Sequence, residues 1–206
     1  MAESHPIPNF QQASVLGSKN PAVVADIPLA PPFDDYYLST LTAADFPRLV
    51  QLYNDTDLST ILYSAPYPYT IEDAHWFNEN KAHTSYPDFP GTHEAWVVRS
   101  RSNNGLLVGI CGTHPHPENI AKNFSLGYFL APEFRQKGIM PVVVAEVLKH
   151  FPGAKFQAEA EVGNMGSQKV LDKCGFQKVD GWVTELEWPE SKGGGVRKLV
   201  RFTKDC

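Results

Sequence analysis

A short turn at residues 135–138 has the composition of an anion-binding site. It reads Arg135-Gln-Lys137-Gly138, and an unbroken apolar stretch with the length of a helix follows it. A helix N-terminus exposes unpaired backbone N–H groups and about half a positive charge, and glycine lets a ligand approach the main chain closely. The turn therefore suits a phosphate group, although its short pattern also fits an ordinary charged surface turn.

A polar segment farther along the chain has the residue types of a second ligand contact. Asn164 follows a predicted strand, Ser167 lies in the first turn of the next predicted helix, and Gly175-Phe176 ends that helix. An amide and a hydroxyl at these positions can bind a ligand, or they can cap the helix by accepting from its free N–H groups. The residues alone do not separate a ligand contact from a cap.

Several carboxylates on predicted strands have the chemistry of a proton acceptor. Glu159 and Glu161 share one face of "KFQAEAEV", and Glu185 and Glu187 share one face of "GWVTELEW". Carboxylates with this alternation also occur on strand faces that are simply solvated. Tyr128, on the strand before the turn, fits either a core position or a site. The choice of base stays open at this point.

Length and charge restrict the classes of function. The chain has 206 residues and a formal net charge of −5, which fits one domain with a single core. Residues 1–134 carry 6 basic and 14 acidic side chains, whereas residues 135–206 carry 12 and 9. This balance is unfavourable for nucleic-acid binding, but the basic part suits a small phosphorylated ligand.

The cysteine and histidine residues indicate neither a disulfide framework nor a metal centre. Cys111, Cys174 and Cys206 are scattered and odd in number, as expected for reduced thiols in a cytoplasmic protein. His114 and His116 lie in a proline-broken loop without a nearby third ligand, so no metal is expected. The sequence also lacks a secretory signal at its start and an apolar stretch of membrane length, so we expect a cytoplasmic protein without membrane contacts.

Hydrophobic periodicity and turn residues predict the elements that position these groups. Residues 1–34 are rich in proline and have no regular period, which predicts an extended N-terminal arm before a folded domain of residues 35–206. In that domain we predict the order strand, two helices, three strands, helix, strand, helix and two strands. Capping boxes at Thr42-Ala-Ala-Asp45 and Thr70-Ile-Glu-Asp73 begin the first two helices, and Asn103-Asn104-Gly105 turns a β-hairpin. This order is typical of an α+β sheet.

The turn and the downstream polar segment together resemble a known family. The loop at 135–140, the Asn-x-x-Ser at 164–167 and the Gly-Phe at 175–176 are similar to the cofactor-binding core of the GNAT superfamily of acyl-CoA N-acyltransferases. "SLGYFLAPEFRQKGIM" and "PYPYTIEDA" resemble its RimJ/RimL branch, which includes ribosomal-protein N-terminal acetyltransferases. The resemblance spans roughly residues 36–204. It implies the α+β GNAT fold, a mixed but mostly antiparallel twisted sheet of about seven strands with about four helices and a V-shaped splay between the fourth and fifth strands.

The resemblance implies acetyl-CoA as co-substrate and assigns residues to it. The backbone amides of residues 136–140 would bind its pyrophosphate, the strand end at 129–131 would pair with its pantetheine arm, and Asn164 would hydrogen-bond the same arm. The implied cofactor-binding set is Phe129, Leu130, Ala131, Arg135, Gln136, Lys137, Gly138, Ile139, Met140, Asn164, Ser167 and Lys173.

Direct transfer of acetyl to a primary amine is the chemistry that the resemblance implies. This reaction needs a proton donor for the leaving thiolate and a base for the amine. Many members donate the proton from a tyrosine where this chain has Leu171, so Ser167 takes that role by similarity to the RimL-like branch. Glu187 is the implied base, with the two carboxylates of the 155–162 strand as competitors. Tyr128 would orient the substrate.

The acceptor and the assembly stay open from sequence alone. The branch includes enzymes for protein N-termini and for small amines, and the acidic first part of the chain favours a cationic acceptor. The missing tyrosine, and the lack of a carboxylate in "NFSLGY", keep a second hypothesis, a catalytically inactive acyl-CoA-binding or sensing module. A monomer and a homodimer both fit the sequence.

Overall fold

A computed structural model of the protein describes residues 26–116 and 122–206. The predicted N-terminal arm therefore lies outside the described residues up to residue 25. Its remaining part, which begins at Asp26, contains a two-residue strand and the buried Leu29.

Eight strands of the described chain form one sheet in the order β1-β2-β3-β4-β5-β6-β8-β7. All neighbours are antiparallel except β5 and β6, which are parallel. The predicted α+β class is confirmed, with one more strand than expected because β1 pairs with β2 from within the proline-rich segment. The strands are β1 (Ile27–Pro28), β2 (Tyr36–Ser39), β3 (Ala95–Ser100), β4 (Leu106–Pro115), β5 (Asn123–Leu130), β6 (Lys155–Glu161), β7 (Gln177–Glu187) and β8 (Val196–Asp205).

Five α-helices cover the sheet within the described residues. The predicted box at Thr70 begins α3, where the Thr70 amide donates to Asp73 at 2.8 Å. The second helix was not predicted, and it begins because the Asp55 carboxylate accepts from the amides of Asp57 and Leu58. The helices are α1 (Phe46–Tyr53), α2 (Thr56–Ile61), α3 (Ile71–Phe77), α4 (Ile139–Leu148) and α5 (Met165–Lys173).

The helices lie on two faces of the sheet. On one face the Tyr53 ring of α1 contacts the Phe129 ring edge-on, with centroids 5.4 Å apart. On the other face the Tyr128 hydroxyl of β5 contacts Ser167 of α5 at 3.0 Å. Successive strand residues point to opposite faces. We therefore call these the α1–α3 face and the α4–α5 face, and β5 contributes side chains to both.

The parallel pair β5 and β6 separates along its length. Paired residues are Asn123 with Lys155, Phe124 with Phe156 and Ser125 with Gln157, and pairing ends there. Both strands then continue, to Leu130 and Glu161. The predicted V-shaped splay between the fourth and fifth strands of the predicted order is therefore confirmed. Beyond this point the main-chain N–H and C=O groups of β5 and β6 do not pair with each other. Two such open strand edges can pair with an extended ligand.

The β7–β8 loop closes the α1–α3 face by holding the loop that follows α2. The Lys192 ammonium donates to three main-chain carbonyls at residues 62–65, and the Trp188 indole N–H donates to the Thr60 carbonyl at 2.9 Å. Burial lowers the pKa of Lys192 to about 8. Two loops that are distant in sequence are thereby fixed beside the open end of the splay.

None of the helices in the described ranges has the length and apolar character that crossing a membrane requires.

Candidate functional site

The predicted anion site forms a cradle of main-chain amides. Gln136 and Gly138 have φ angles of 61° and 78°, and α4 begins at Ile139. These left-handed residues turn the chain sharply, and the first amides of a helix have no intrahelical acceptor. Within the described residues no hydrogen bond engages the amides of 136–140. Five successive N–H groups are thus open to an anion.

Arg135 brings a second, charged donor to the cradle. Its Nε donates to the Leu130 carbonyl at 3.0 Å, which fixes the guanidinium against the end of β5. Its Nη2 is buried and has no hydrogen-bond partner within the described part of the chain. A buried N–H without a partner costs free energy that an anion at this position would recover. The cradle therefore fits a diphosphate group.

The remaining predicted cofactor residues differ in what they can offer. The side chains of Ile139 and Met140 are buried, so only their amides are available. Lys137 is exposed, with its Nζ 5.1 Å from the Phe134 ring centroid. Lys173 is exposed at the end of α5. The two lysines add positive potential and leave the direct contacts to the main chain.

The end of β5 connects the cradle to the splay. The Ala131 amide donates to the Val108 carbonyl at 2.8 Å, so this segment stays fixed to β4 where it leaves the sheet. Phe129, Leu130 and Ala131 are all buried. They lie on the part of β5 that has already separated from β6. An arm that leaves the cradle along β5 therefore meets an open strand edge.

Ser167 and Tyr128 meet across the α4–α5 face. Their hydroxyl oxygens lie 3.0 Å apart, and the Tyr128 hydroxyl also donates to the Ser167 carbonyl at 3.0 Å. The Asn164 carboxamide accepts from the Ser167 amide at 3.0 Å and so caps α5. Burial raises the pKa of Tyr128, which keeps its phenol protonated. The structure thus brings together three residues that sequence reasoning had selected separately.

The predicted base, Glu187, lies apart from this group. Glu187 is the last residue of β7 and is exposed. β7 is an edge strand, and β8 separates it from β6. The neighbour of Glu187 across the pair is Val196, which puts it on the sheet face of Ala160, opposite to Glu159 and Glu161. The sequence pattern could not reveal that Glu187 lies two strands away from β6, because strand order is decided by tertiary pairing.

Glu159 and Glu161 line the splay, but each is paired with an arginine. Arg201 donates to one oxygen of Glu159 at 2.6 and 3.1 Å, and Arg197 donates to Glu161 at 3.3 Å. The Arg197 guanidinium also lies 4.2 Å from the centroid of the Trp188 ring. These ion pairs fix both carboxylates in place on the α1–α3 face.

The family comparison agrees with this geometry. The model of the GNAT acetyltransferase domain matches residues 36–177, more than half of the chain. The chain belongs to the GNAT acetyltransferase family. Enzymes of this family transfer acetyl groups from acetyl-CoA, so the acyltransferase class expected from sequence is confirmed. No curated protein matches this chain by sequence.

Solved structures share the GNAT fold of this chain at low sequence identity. An acetyltransferase from Bacillus anthracis is 14% identical with a TM-score of 0.65, covering 88% of this chain and 98% of that one. A spermidine N-acetyltransferase from Vibrio cholerae, solved with CoA and spermine, is 16% identical (TM-score 0.64, 83% and 95%). A ribosomal-protein-alanine N-acetyltransferase from Brucella melitensis is 21% identical (TM-score 0.62, 82% and 99%).

One residue of this GNAT site was missed by sequence reasoning. Phe33, from the predicted arm, lies with its Cζ 3.4 Å from where a Cβ on Gly138 would be. A turn that joins the Phe33 amide to the Ala30 carbonyl at 3.0 Å directs the ring there. A single aromatic residue in a proline-rich segment gives no sequence signal for such a contact.

Within the described residues of this GNAT domain, no three His, Cys, Asp or Glu residues form a group that could hold a metal ion.

Proposed function

We propose that the protein transfers an acetyl group from acetyl-CoA directly to a primary amine in a ternary complex. One observation carries the proposal: the splay between β5 and β6 runs from the open amides at 136–140 to the Tyr128–Ser167 pair. A cradle for the diphosphate, an open strand edge and a proton donor thus follow one another in the order that a CoA thioester requires.

The chain's own groups hold the co-substrate in this proposal. The amides of 136–140 and the free nitrogen of Arg135 bind the diphosphate, and the edge at 129–131 pairs with the amides of the pantetheine arm. Asn164, at the start of α5, is close enough to Ser167 to contact the same arm. Lys173 and Lys137 contribute charge. Acetyl-CoA supplies the activated acyl group.

Ser167 and Tyr128 donate the proton that the leaving sulfur needs. Tyr128 stays protonated because it is buried, and it is in contact with Ser167. Leu171 of α5 stands where many family members have the proton-donating tyrosine. In this chain Tyr128 of β5 brings a phenol to the same helix and fills that role. Glu187, expected from sequence to be the base, could act here only through water across β8.

The acceptor belongs to the class of primary amines, as in the RimJ/RimL-type branch. Similar structures include enzymes named for spermidine and for ribosomal-protein alanine, so both a small polyamine and a peptide N-terminus are candidates. The opening is bordered by the β7–β8 loop and the loop after α2, which Lys192 holds together. We favour a cationic acceptor because residues 1–134 have an excess of acidic side chains.

A turnover assay tests the proposal. The full chain is incubated with acetyl-CoA and a panel that contains spermidine, lysine and a peptide beginning with alanine, and a thiol-reactive dye measures the CoA released. Calorimetry with CoA measures binding separately. We expect CoA to bind and at least one amine to give saturable release, with the acetylated amine identified by mass spectrometry.

Two results would contradict this proposal in different ways. Saturable CoA binding without turnover on any primary amine would favour the inactive acyl-CoA-binding module. Failure of CoA to bind would remove the cofactor assignment and every catalytic role that depends on it.

A further inference from the structure

His114 occupies the α1–α3 face directly beside the splay. It lies on β4 opposite Ser125 of β5, and Ser125 pairs in turn with Gln157 of β6, the last pair before the strands separate. Directly paired residues share a face, so the imidazole is on the side of Glu159 and Glu161. This histidine therefore lies on the α1–α3 face at the level where β5 and β6 begin to separate.

Two glycines leave room for the imidazole above the strands. Its Nε2 is 4.0 Å from where a Cβ on Gly127 would be, and its Cε1 is 3.4 Å from where a Cβ on Gly112 would be. Gly112 and Gly127 are paired across β4 and β5. Because neither has a side chain, the ring lies over β5 at the edge of the open cleft, and its side chain stays 25% exposed.

A buried carboxylate supports the ring from behind. Glu94, directly before β3, has a side chain only 4% exposed, and its Oε1 is 3.5 Å from the His114 Nδ1. The Glu94 main chain is fixed as well, since its carbonyl accepts from the Thr113 amide at 2.8 Å. A carboxylate beside Nδ1 orients an imidazole, and Nε2 is the ring nitrogen that lies toward Gly127.

The position of the thioester carbonyl along β5 follows from the proposed function, on which this inference rests. An arm that starts at the amides of 136–140 and pairs with 129–131 continues along β5 toward Gly127 and ends before the closed pair Ser125–Gln157. Gly127 and Tyr128 are consecutive and point to opposite faces. His114 and the Tyr128–Ser167 pair therefore lie on opposite faces of the sheet beside the same segment of β5, residues 127–128.

We propose that His114 is the general base of the reaction and that Glu94 is its positioning residue. His114 takes the proton that the amine nitrogen loses as that nitrogen bonds to the thioester carbonyl carbon. The Tyr128–Ser167 pair supplies a proton to the sulfur as the C–S bond breaks and the sulfur keeps the electron pair. One proton leaves the amine and one reaches the thiol, so the step is balanced without a further reactant.

The other charged groups on this face are less suited to the role. Glu159 and Glu161 are held by Arg201 and Arg197, and taking a proton would break each ion pair. Tyr86 lies on the α4–α5 face, where its ring packs against Phe124 and Phe151, so it does not compete for this role. Within the described part of this face, His114 combines a partly exposed ring with a buried carboxylate close to it.

The test compares His114→Gln with His75→Gln, a control at an exposed position on α3. The assay uses acetyl-CoA and the best amine of the panel above. We expect His114→Gln to lower kcat/KM on the order of 100-fold, to leave CoA affinity unchanged and to remove the acidic limb of the pH profile. His75→Gln should behave like the parent.

A second pair of measurements separates catalysis from structure. His114→Gly creates space above Gly127, and added imidazole should restore a measurable part of kcat. Glu94→Gln should lower kcat with KM for acetyl-CoA unchanged, since the ring loses the carboxylate that orients it. In the His114→Gln background, Glu94→Gln should have no further effect on kcat.

The outcomes distinguish this inference from the proposed function. If the parent turns over an amine but His114→Gln keeps its rate and pH profile, the base assignment is wrong and the acetyltransferase proposal stands. If a lowered rate in His114→Gly is not rescued by imidazole and the limb persists, the histidine has a structural role only. A parent that does not turn over overturns both.

Discussion

At the scale of single residues, the contact between Tyr128 and Ser167 is the main link between fold and chemistry. The two come from β5 and α5, and their hydroxyl oxygens are 3.0 Å apart in a largely buried position. A thiolate leaves more readily when a neutral donor is in place, and a buried phenol is such a donor. The pair therefore works only if both elements keep their relative position.

We predict that Tyr128→Phe lowers kcat about 10- to 100-fold with little change in KM for acetyl-CoA, because the proton donor is lost and the ring remains. Ser167→Ala should have a similar effect. The double variant should be no slower than the slower single one, since the two hydroxyls act as a unit. Tyr37→Phe on β2, which β3 and β4 separate from β5, is the control. Additive losses would contradict a shared donor.

At the scale of elements, the start of α4 depends on a left-handed glycine. Gly138 has φ of 78° and immediately precedes the helix, with Phe33 against it. Other residues adopt this conformation at a cost of about 1–2 kcal/mol. The backbone of the cradle is therefore sensitive to substitution at this position, while Gly153, after α4, has nearly the same φ of 75° and nothing within 4 Å of an added Cβ.

This difference gives a matched test of the cradle. Gly138→Ala should lower stability by about 1–2 kcal/mol and weaken CoA binding about tenfold, because the amide geometry shifts. Gly153→Ala should lower stability by a similar amount and leave CoA affinity unchanged. Urea unfolding and calorimetry measure the two quantities. Equal CoA affinity in both variants would count against the amides at 136–140 as the diphosphate site.

At the scale of the whole molecule, a buried histidine couples folding to pH. His93 is only 3% exposed, its ring stacks on Trp96 with centroids 4.1 Å apart, and its Nε2 has no hydrogen-bond partner within the described residues. Burial lowers its pKa to about 4, with smaller contributions from His83 and His150. The folded protein therefore keeps this imidazole neutral where the unfolded chain would protonate it.

The sign of the effect follows from this shift. Between the ordinary pKa of 6.5 and about 4, the unfolded chain binds one more proton, so stability falls as pH falls through this window. The loss is on the order of 3 kcal/mol across the window. Urea unfolding of the parent, His93→Gln and the exposed-site control His75→Gln should show that only His93→Gln loses most of this acid sensitivity. An unchanged pH dependence in His93→Gln would refute the assignment.

The sequence by itself determined the elements with strong local signals. The Asn103-Asn104-Gly105 turn, the box at Thr70 and the stop after α4 each depend on residues close in the chain, and each is present. The anion cradle is equally local, because a turn residue, a glycine and a helix start occupy adjacent positions. Such features follow from backbone conformational preferences and need no knowledge of neighbours.

Only the tertiary structure decided which side chains meet. Strand order put β8 between β6 and β7, which separates Glu187 from the splay, and it paired Tyr128 with Ser167. It also brought His114 over Gly127 beside Glu94, from a segment whose sequence indicated a loop. Side-chain contacts across a sheet depend on the register and order of strands far apart in the chain. Because long-range burial selects that order, no local pattern in this sequence could reveal it.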